Sequence, residues 1–147
     1  MQLEHSITIP APQDVAWAVT VDVERWPEWT PTIESVERLE RGPFGVGSTA
    51  KIKQPQLPPA IWRVTSHTPG ERFTWETRNR GIRMVATHEI VATSGGCVSN
   101  LRLEVSGLVA MLLWPIIRRS AGRALAKENL CLRDRCQSES RCARAAV

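Results

Sequence analysis

At 147 residues the chain holds one domain, large enough to bury about two-thirds of its unfolded surface and keep an internal pocket, while 42% hydrophobic and 23% charged residues exclude wholesale disorder. Its six Trp and two Phe stand with no Tyr, which excludes a phenol as acid, base or ligand donor. The net charge of +4 belongs to the C-terminus, since residues 118–147 carry 8 Lys/Arg against 3 Asp/Glu and residues 1–117 carry 11 against 12; with no nucleic-acid-binding motif, nucleic acid is not an expected partner.

The opening MQLEHSITIPAP has no basic segment leading into an apolar one, so it does not read as a secretory signal and a cytoplasmic protein is expected. Residues 3–9 alternate, with Leu3, His5, Ile7 and Ile9 on one face and Glu4, Ser6 and Thr8 on the other, the pattern of a half-buried strand. Pro10 ends it. Pro12 suits the first turn of a helix whose apolar stripe is Val15, Ala18 and Val19, running to about Thr20. In DVERWPEWTPTI, Pro27 and Pro31 interrupt regular structure and bias Trp26 and Thr30 towards extended backbone, which predicts a short helical turn and a loop carrying Trp26 and Trp29. From Ile33 the pattern is a meander, with strands at 33–40, 47–54, 60–67, 71–79, 82–93 and 97–106. Between them lie turn signals at Gly42-Pro43-Phe44-Gly45, Pro69-Gly70, Arg80-Gly81 and Gly95-Gly96, and a proline-rich crossing at 54–59 that cannot continue a ladder.

From Leu108 to about Cys136 the periodicity turns helical. Pro115 predicts a kink near 111–115 or a short first helix leading into the main one. The apolar run GLVAMLLWPII is too short to span a bilayer and reads as a buried helix start, with a membrane-surface helix as the alternative. Ile117, Ala121, Leu125 and Glu128 share a face, with Ala124 and Leu132 beside it. Residues 138–147 are expected to be a disordered basic tail, leaving one domain over 1–137. Cys97, Cys131, Cys136 and Cys142 lack the spacing of a zinc site and are expected as reduced thiols, so neither a metal nor a cofactor is expected.

Several segments in order carry a family resemblance. They are ITIPAPQDVAWAV, DVERWPEWTPTIESVE, GVGSTAKIKQPQLPPAIWRVTSHTPGERFTWET, ATHEI and a long helix ending KENLCLRDRC. Across nearly its whole length the chain resembles the polyketide cyclase/dehydrase-like branch of the START/Bet v 1-like (SRPBCC) superfamily. The resemblance implies an α+β helix-grip fold: a seven-stranded curved antiparallel sheet around a long C-terminal helix, with two short helices between strands 1 and 2. It also implies a hydrophobic cavity between sheet and helix. No catalytic motif is carried over with it, because function in such folds resides in the pocket.

Alternation nominates the walls of that cavity. Phe73, Trp75 and Thr77 share one face of their strand, as do Met84, Ala86 and His88 of the next and Leu101 and Leu103 of the last, with Trp62 on the fourth. Leu112, Ile117 and Ala121 would close it from the helix, and Trp26 and Trp29 are expected as a gate or end wall, or as packing for the small helices. His88, and with it His5, is the candidate polar point; no partner carboxylate is expected inside, since Glu89 and Glu104 fall on the outer face. For each apolar residue on its own the core reading is favoured. Three functions compete. The first is binding or carriage of an apolar, lipid- or polyketide-like molecule by a monomer or weak homodimer. The second is a polyketide cyclase-like enzyme with His88 as general base. The third is an interaction module acting through the basic helix.

Overall fold

A computed structural model describes residues 1–146. The elements in chain order are β1 (Gln2–Ile9), α1 (Gln13–Val21), a 3-10 helix (Val23–Glu28), β2 (Ser35–Arg38), β3 (Thr49–Lys53), β4 (Ala60–Thr68), β5 (Arg72–Asn79), β6 (Ile82–Thr93), β7 (Gly96–Ser106) and α2 (Leu108–Ala145). The seven strands form one antiparallel sheet in the order β1-β7-β6-β5-β4-β3-β2. All seven fall where alternation and turn chemistry place them, because a one-sided sheet demands strict period two and each break carries Gly or Pro. The tightest turn is Arg80-Gly81, where both residues have positive φ, as a two-residue hairpin between right-twisted strands requires.

The helix-grip architecture follows from where α2 lies. It runs over β1, β7 and β6 and against α1, on the face that carries Ile9, Phe73, Trp75, Ile90, Leu101, Leu103 and Val105. In α1 the buried positions are Ala16, Val19 and Thr20, with Trp17 half-buried; Ala18, expected in the stripe, is exposed. Trp26 adopts the 3-10 helix despite preceding Pro27, rather than the extended backbone that Pro favours. Its indole explains why: Nε1 donates to the Thr20 carbonyl at 3.1 Å and the ring is buried, which outweighs the local bias.

In the C-terminal helix one of the two alternatives at Pro115 falls away, and the expected tail is corrected. The helix is one continuous element of 38 residues, about 57 Å long, with no separate first helix before Pro115. Pro115 removes the bond to the Met111 carbonyl, and both residues are exposed, so solvent satisfies the freed group. The segment expected as a disordered tail from 138 is helical to Ala145, since Leu132, Cys136 and Ser140 continue one buried stripe and Arg135 pairs with Glu139 at 2.9 Å. Val147, the last residue of that expected tail, lies outside the described residues.

Entry into α2 depends on Gly107. Its φ is +118°, and a Cβ there would overlap the Gly81 carbonyl oxygen where the β5–β6 turn meets the helix start. Gly107→Ala should therefore cost about 2–4 kcal/mol in urea unfolding. Gly122→Ala is the control. A Cβ at that mid-helix position meets nothing within 4 Å, and the change should raise stability by up to about 1 kcal/mol.

Candidate functional site

The inner face of the sheet divides into a tightly filled end and a half-buried stretch. At the filled end Phe73, fully buried, stacks on the His88 imidazole with centroids 4.8 Å apart and planes at 12°. Trp75 meets Phe73 and Trp26 edge-on, at 5.3 Å and 5.4 Å, and Trp62 at a tilt, at 5.6 Å. Trp26 and His88 are 5.2 Å apart. Trp26 is therefore packed into the core, while Trp29 lies half-buried at the surface, in a cleft of about 140 Å³ lined also by Asp22, Arg25, Arg135 and Glu139. A second surface cleft, of about 250 Å³, is lined by Met1, Gln2, Arg83, Glu104, Val105 and Ser106, and both clefts lie away from the helix–sheet interface.

The cluster includes three rings that alternation did not nominate. Phe44, from the loop before β3, reaches Phe73 at 5.0 Å, and Trp17 of α1 reaches it at 6.3 Å. His67 lies 5.8 Å from Trp17 and 6.1 Å from Phe44. A bulge explains His67: pairing of β4 with β5 shifts between Val64 and Ser66, so the inward series runs Trp62, Val64, then His67 opposite Phe73. Simple alternation would have turned Ser66 inward instead.

The half-buried stretch lies under the middle of α2. The inward stripe of that helix is fully buried at its ends, at Ala110 and again from Asn129 through Leu132 to Cys136. Between them Trp114, Ile117, Ala121 and Leu125 are only half-buried, and so are Ile82, Met84 and Ala86 on the facing strand β6. This run from Trp114 to Leu125 is about 16 Å of helix. It is apolar on both walls, with small side chains at Ala86 and Ala121. Of the remaining nominated residues, Thr77, Leu101 and Leu103 are buried on the same inner face, alongside Met84, His88 and Ala86 in the sheet register. Leu112 is not part of it. It is 83% exposed, because it stands five positions before Ile117 and so points to the opposite side of the helix. The wall position belongs to Trp114, three before Ile117 and seven before Ala121, a spacing visible in the sequence.

A polar pair closes the inner end of this stretch. Glu128 comes inward from α2 on the face shared with Ala121 and Leu125, and its Oε1 lies 3.7 Å from His88 Nδ1, with the His88 side chain buried and that of Glu128 13% exposed. The expectation of no inward carboxylate is thus corrected: Glu89 and Glu104 do face outward, and the acid comes from the helix. Burial drives both groups towards neutrality, lowering His88 to about 3 and raising Glu128 to about 7. At 3.7 Å the two are not hydrogen-bonded. A small approach of either, or a ligand oxygen between them, would join a carboxyl donor to an imidazole acceptor.

His5 has another task. Asn129, fully buried, donates from Nδ2 to His5 Nδ1 at 2.9 Å and to the His5 carbonyl at 3.0 Å, and its Oδ1 accepts from Ser99 Oγ at 2.8 Å. This clasp ties α2 to β1 and β7 one residue beyond Glu128, so it sets how that carboxyl is presented. Among the described residues no three His, Cys, Asp or Glu side chains converge as a metal site, and no helix is long and apolar enough to cross a membrane.

The comparisons with known proteins agree with this architecture. No curated protein matches the chain by sequence. Among solved structures it is similar to the di-domain ARO/CYC StfQ from the steffimycin biosynthetic pathway, at 16% identity and a TM-score of 0.77, over 99% of this chain and 52% of that one. The chain thus spans about half the length of that di-domain protein. It is also similar to a START superfamily protein from Mycobacterium smegmatis, at 18% identity and a TM-score of 0.77, covering 93% and 97% of the two chains. A third is norcoclaurine synthase from Thalictrum flavum, a point mutant in complex with a transition-state analogue, at 16% identity and a TM-score of 0.69, over 92% and 95%. Identities at this level describe the fold alone. The family model of polyketide cyclase / dehydrase and lipid transport proteins matches residues 1–136, and the chain belongs to that family.

Proposed function

We propose that this protein binds an apolar small molecule, lipid- or polyketide-like, between the inner face of β6 and the middle of α2, with Glu128 and His88 as its polar end. One observation carries the reading: the inward stripe of α2 is fully buried at Ala110 and again from Asn129, but only half-buried from Trp114 to Glu128, and Met84 and Ala86 on the inner face of β6 are half-buried as well. A helix packed solely for stability would bury its central stripe best. Apolar walls ending in one pair of polar groups are what small-molecule sites commonly show. The family description, which includes lipid transport, supports the same reading.

The experiment fills the stretch. Ala121→Trp places an indole where the ligand would lie, at a half-buried position on the inward stripe. Native mass spectrometry of freshly purified wild type should show a co-purified adduct, and the A121W variant should lack it while keeping its thermal midpoint. An unliganded wild type that also binds no member of a panel of fatty acids and polycyclic aromatic ketones would end the proposal.

A second reading, catalysis on a polyketide-like carbonyl compound, is favoured by the carboxyl beside His88. The better general base is then Glu128, held near neutrality, rather than His88, which burial keeps unprotonated but weakly basic. Glu128 would take the α-proton as the carbonyl oxygen accepts a hydrogen bond from the neutral imidazole. Turnover lost in E128Q with binding retained supports this reading; binding without turnover in the wild type opposes it.

A further inference from the structure

The first turns of α2 leave an apolar surface that the fold does not use. Leu108 is 80% exposed, Met111 65%, Leu112 83% and Ile116 69%, and at these spacings they lie on one side of the helix, away from the buried Ala110. Sequence periodicity favours burying such a run, so its exposure needs a reason. Directly behind it on the same helix stand Arg118, Arg119, Arg123 and Lys127, all exposed. Residues 105–127 contain no Asp or Glu, and none of these four cations makes a salt bridge among the described residues. The first turn carries no acidic residue either, leaving the positive end of the helix dipole uncompensated.

We propose that this end of α2 docks on an anionic lipid bilayer, with Leu108, Met111, Leu112 and Ile116 entering the headgroup region and Arg118, Arg119 and Arg123 pairing with lipid phosphates. The order of the two features fits. From Leu112 to the arginines is about 9–16 Å along the helix axis, against the roughly 5–10 Å by which an apolar face enters at the headgroup boundary, and flexible arginine stems reach across the difference to phosphate. A second copy of the chain is the competing occupant. In a two-fold pairing through this face, however, each apolar tip would bring cations against a partner surface that has no acid between 105 and 127, and like charges would meet. The proposal does not depend on what the groove holds. Trp114 and Ile117, on the adjoining side of the same turns, would nonetheless bring the groove's half-buried stretch next to the bilayer.

The test is sedimentation with vesicles of phosphatidylcholine alone or of equimolar phosphatidylcholine and phosphatidylglycerol. Wild type should pellet with the mixed vesicles at low salt, lose that binding at high salt, and stay in solution with phosphatidylcholine. Neutralising R118Q/R119Q/R123Q should lower the partition coefficient by roughly a hundredfold, at about fivefold per arginine. L112D/I116D, at exposed positions and with an unchanged thermal midpoint, should abolish binding. Wild type that does not pellet with the mixed vesicles overturns the proposal. So does undiminished binding of L112D/I116D, which would mean adsorption by charge alone, or a solution dimer of wild type that this variant dissociates.

Discussion

Phe73→Ala is expected to lower stability by about 3–5 kcal/mol. The ring is fully buried and packs against four others: His88 stacked at 4.8 Å, Phe44 at 5.0 Å, Trp75 at 5.3 Å and Trp17 at 6.3 Å. These come from β6, the β2–β3 loop, its own strand and α1, so removing Phe73 opens a void where elements distant in sequence meet. Rigid indoles around the void cannot collapse into it, which places the cost at the upper end of the range. The measurement is a urea titration read as a shift in midpoint at unchanged slope. Phe73→Leu should recover a large part of the loss but not the stacking on His88, and so separates volume from ring geometry. A midpoint shift of Phe73→Ala below about 1 kcal/mol would show that the cluster is loosely packed.

The same cluster explains what was legible in the sequence. Strand positions were readable because a sheet with one buried face repeats every two residues, and the turns were readable because each needs Gly or Pro. The inward sets of β5, β6 and β7 follow from that period alone. His67 does not, because one bulge after Val64 changes which residue faces in, and nothing in RVTSHT marks the bulge. Trp17 and Phe44 are brought to Phe73 by tertiary packing of a helix and a loop, which no local period encodes. The helix contributions were readable but needed the full angular arithmetic: Trp114 lies on the stripe of Ile117 and Ala121, whereas Leu112 lies opposite. Glu128 was visible on that stripe as well. A carboxylate on an apolar face reads as a solvated edge until the sheet beneath supplies His88. The continuation of α2 to Ala145 was missed because its stripe there is Cys136 and Ser140 among many charges, too weak an apolar signal to separate from a solvated tail.

The proton carried by Glu128 should make stability, and ligand binding with it, depend on pH in a direction opposite to the usual carboxylate. Folding raises Glu128 from its ordinary 4.5 to about 7, so the folded chain holds this proton more tightly than the unfolded one. The contribution is fully present below pH 4.5 and is lost as pH rises through about 7. His88 acts the other way: lowered from 6.5 to about 3, it contributes above pH 6.5 and loses that contribution as pH falls towards 3. Between 4.5 and 6.5 the two slopes cancel, and the wild type should be nearly insensitive to pH there. Glu128→Gln removes one slope. Relative to wild type it should gain stability on the order of 1.4 kcal/mol per pH unit across the interval from 4.5 to about 7, measured by denaturant midpoints at each pH. If the difference between the two proteins does not change with pH, Glu128 is not a buried acid. Ligand binding gives the companion reading. An apolar molecule that displaces water from the Trp114–Leu125 stretch further disfavours the charged carboxylate, so binding takes up a proton and should weaken as pH rises above 7. In E128Q, which has no proton to exchange there, the dissociation constant should be flat over the same range. That comparison assigns the linked proton to the helix acid rather than to His88, whose own titration lies far below.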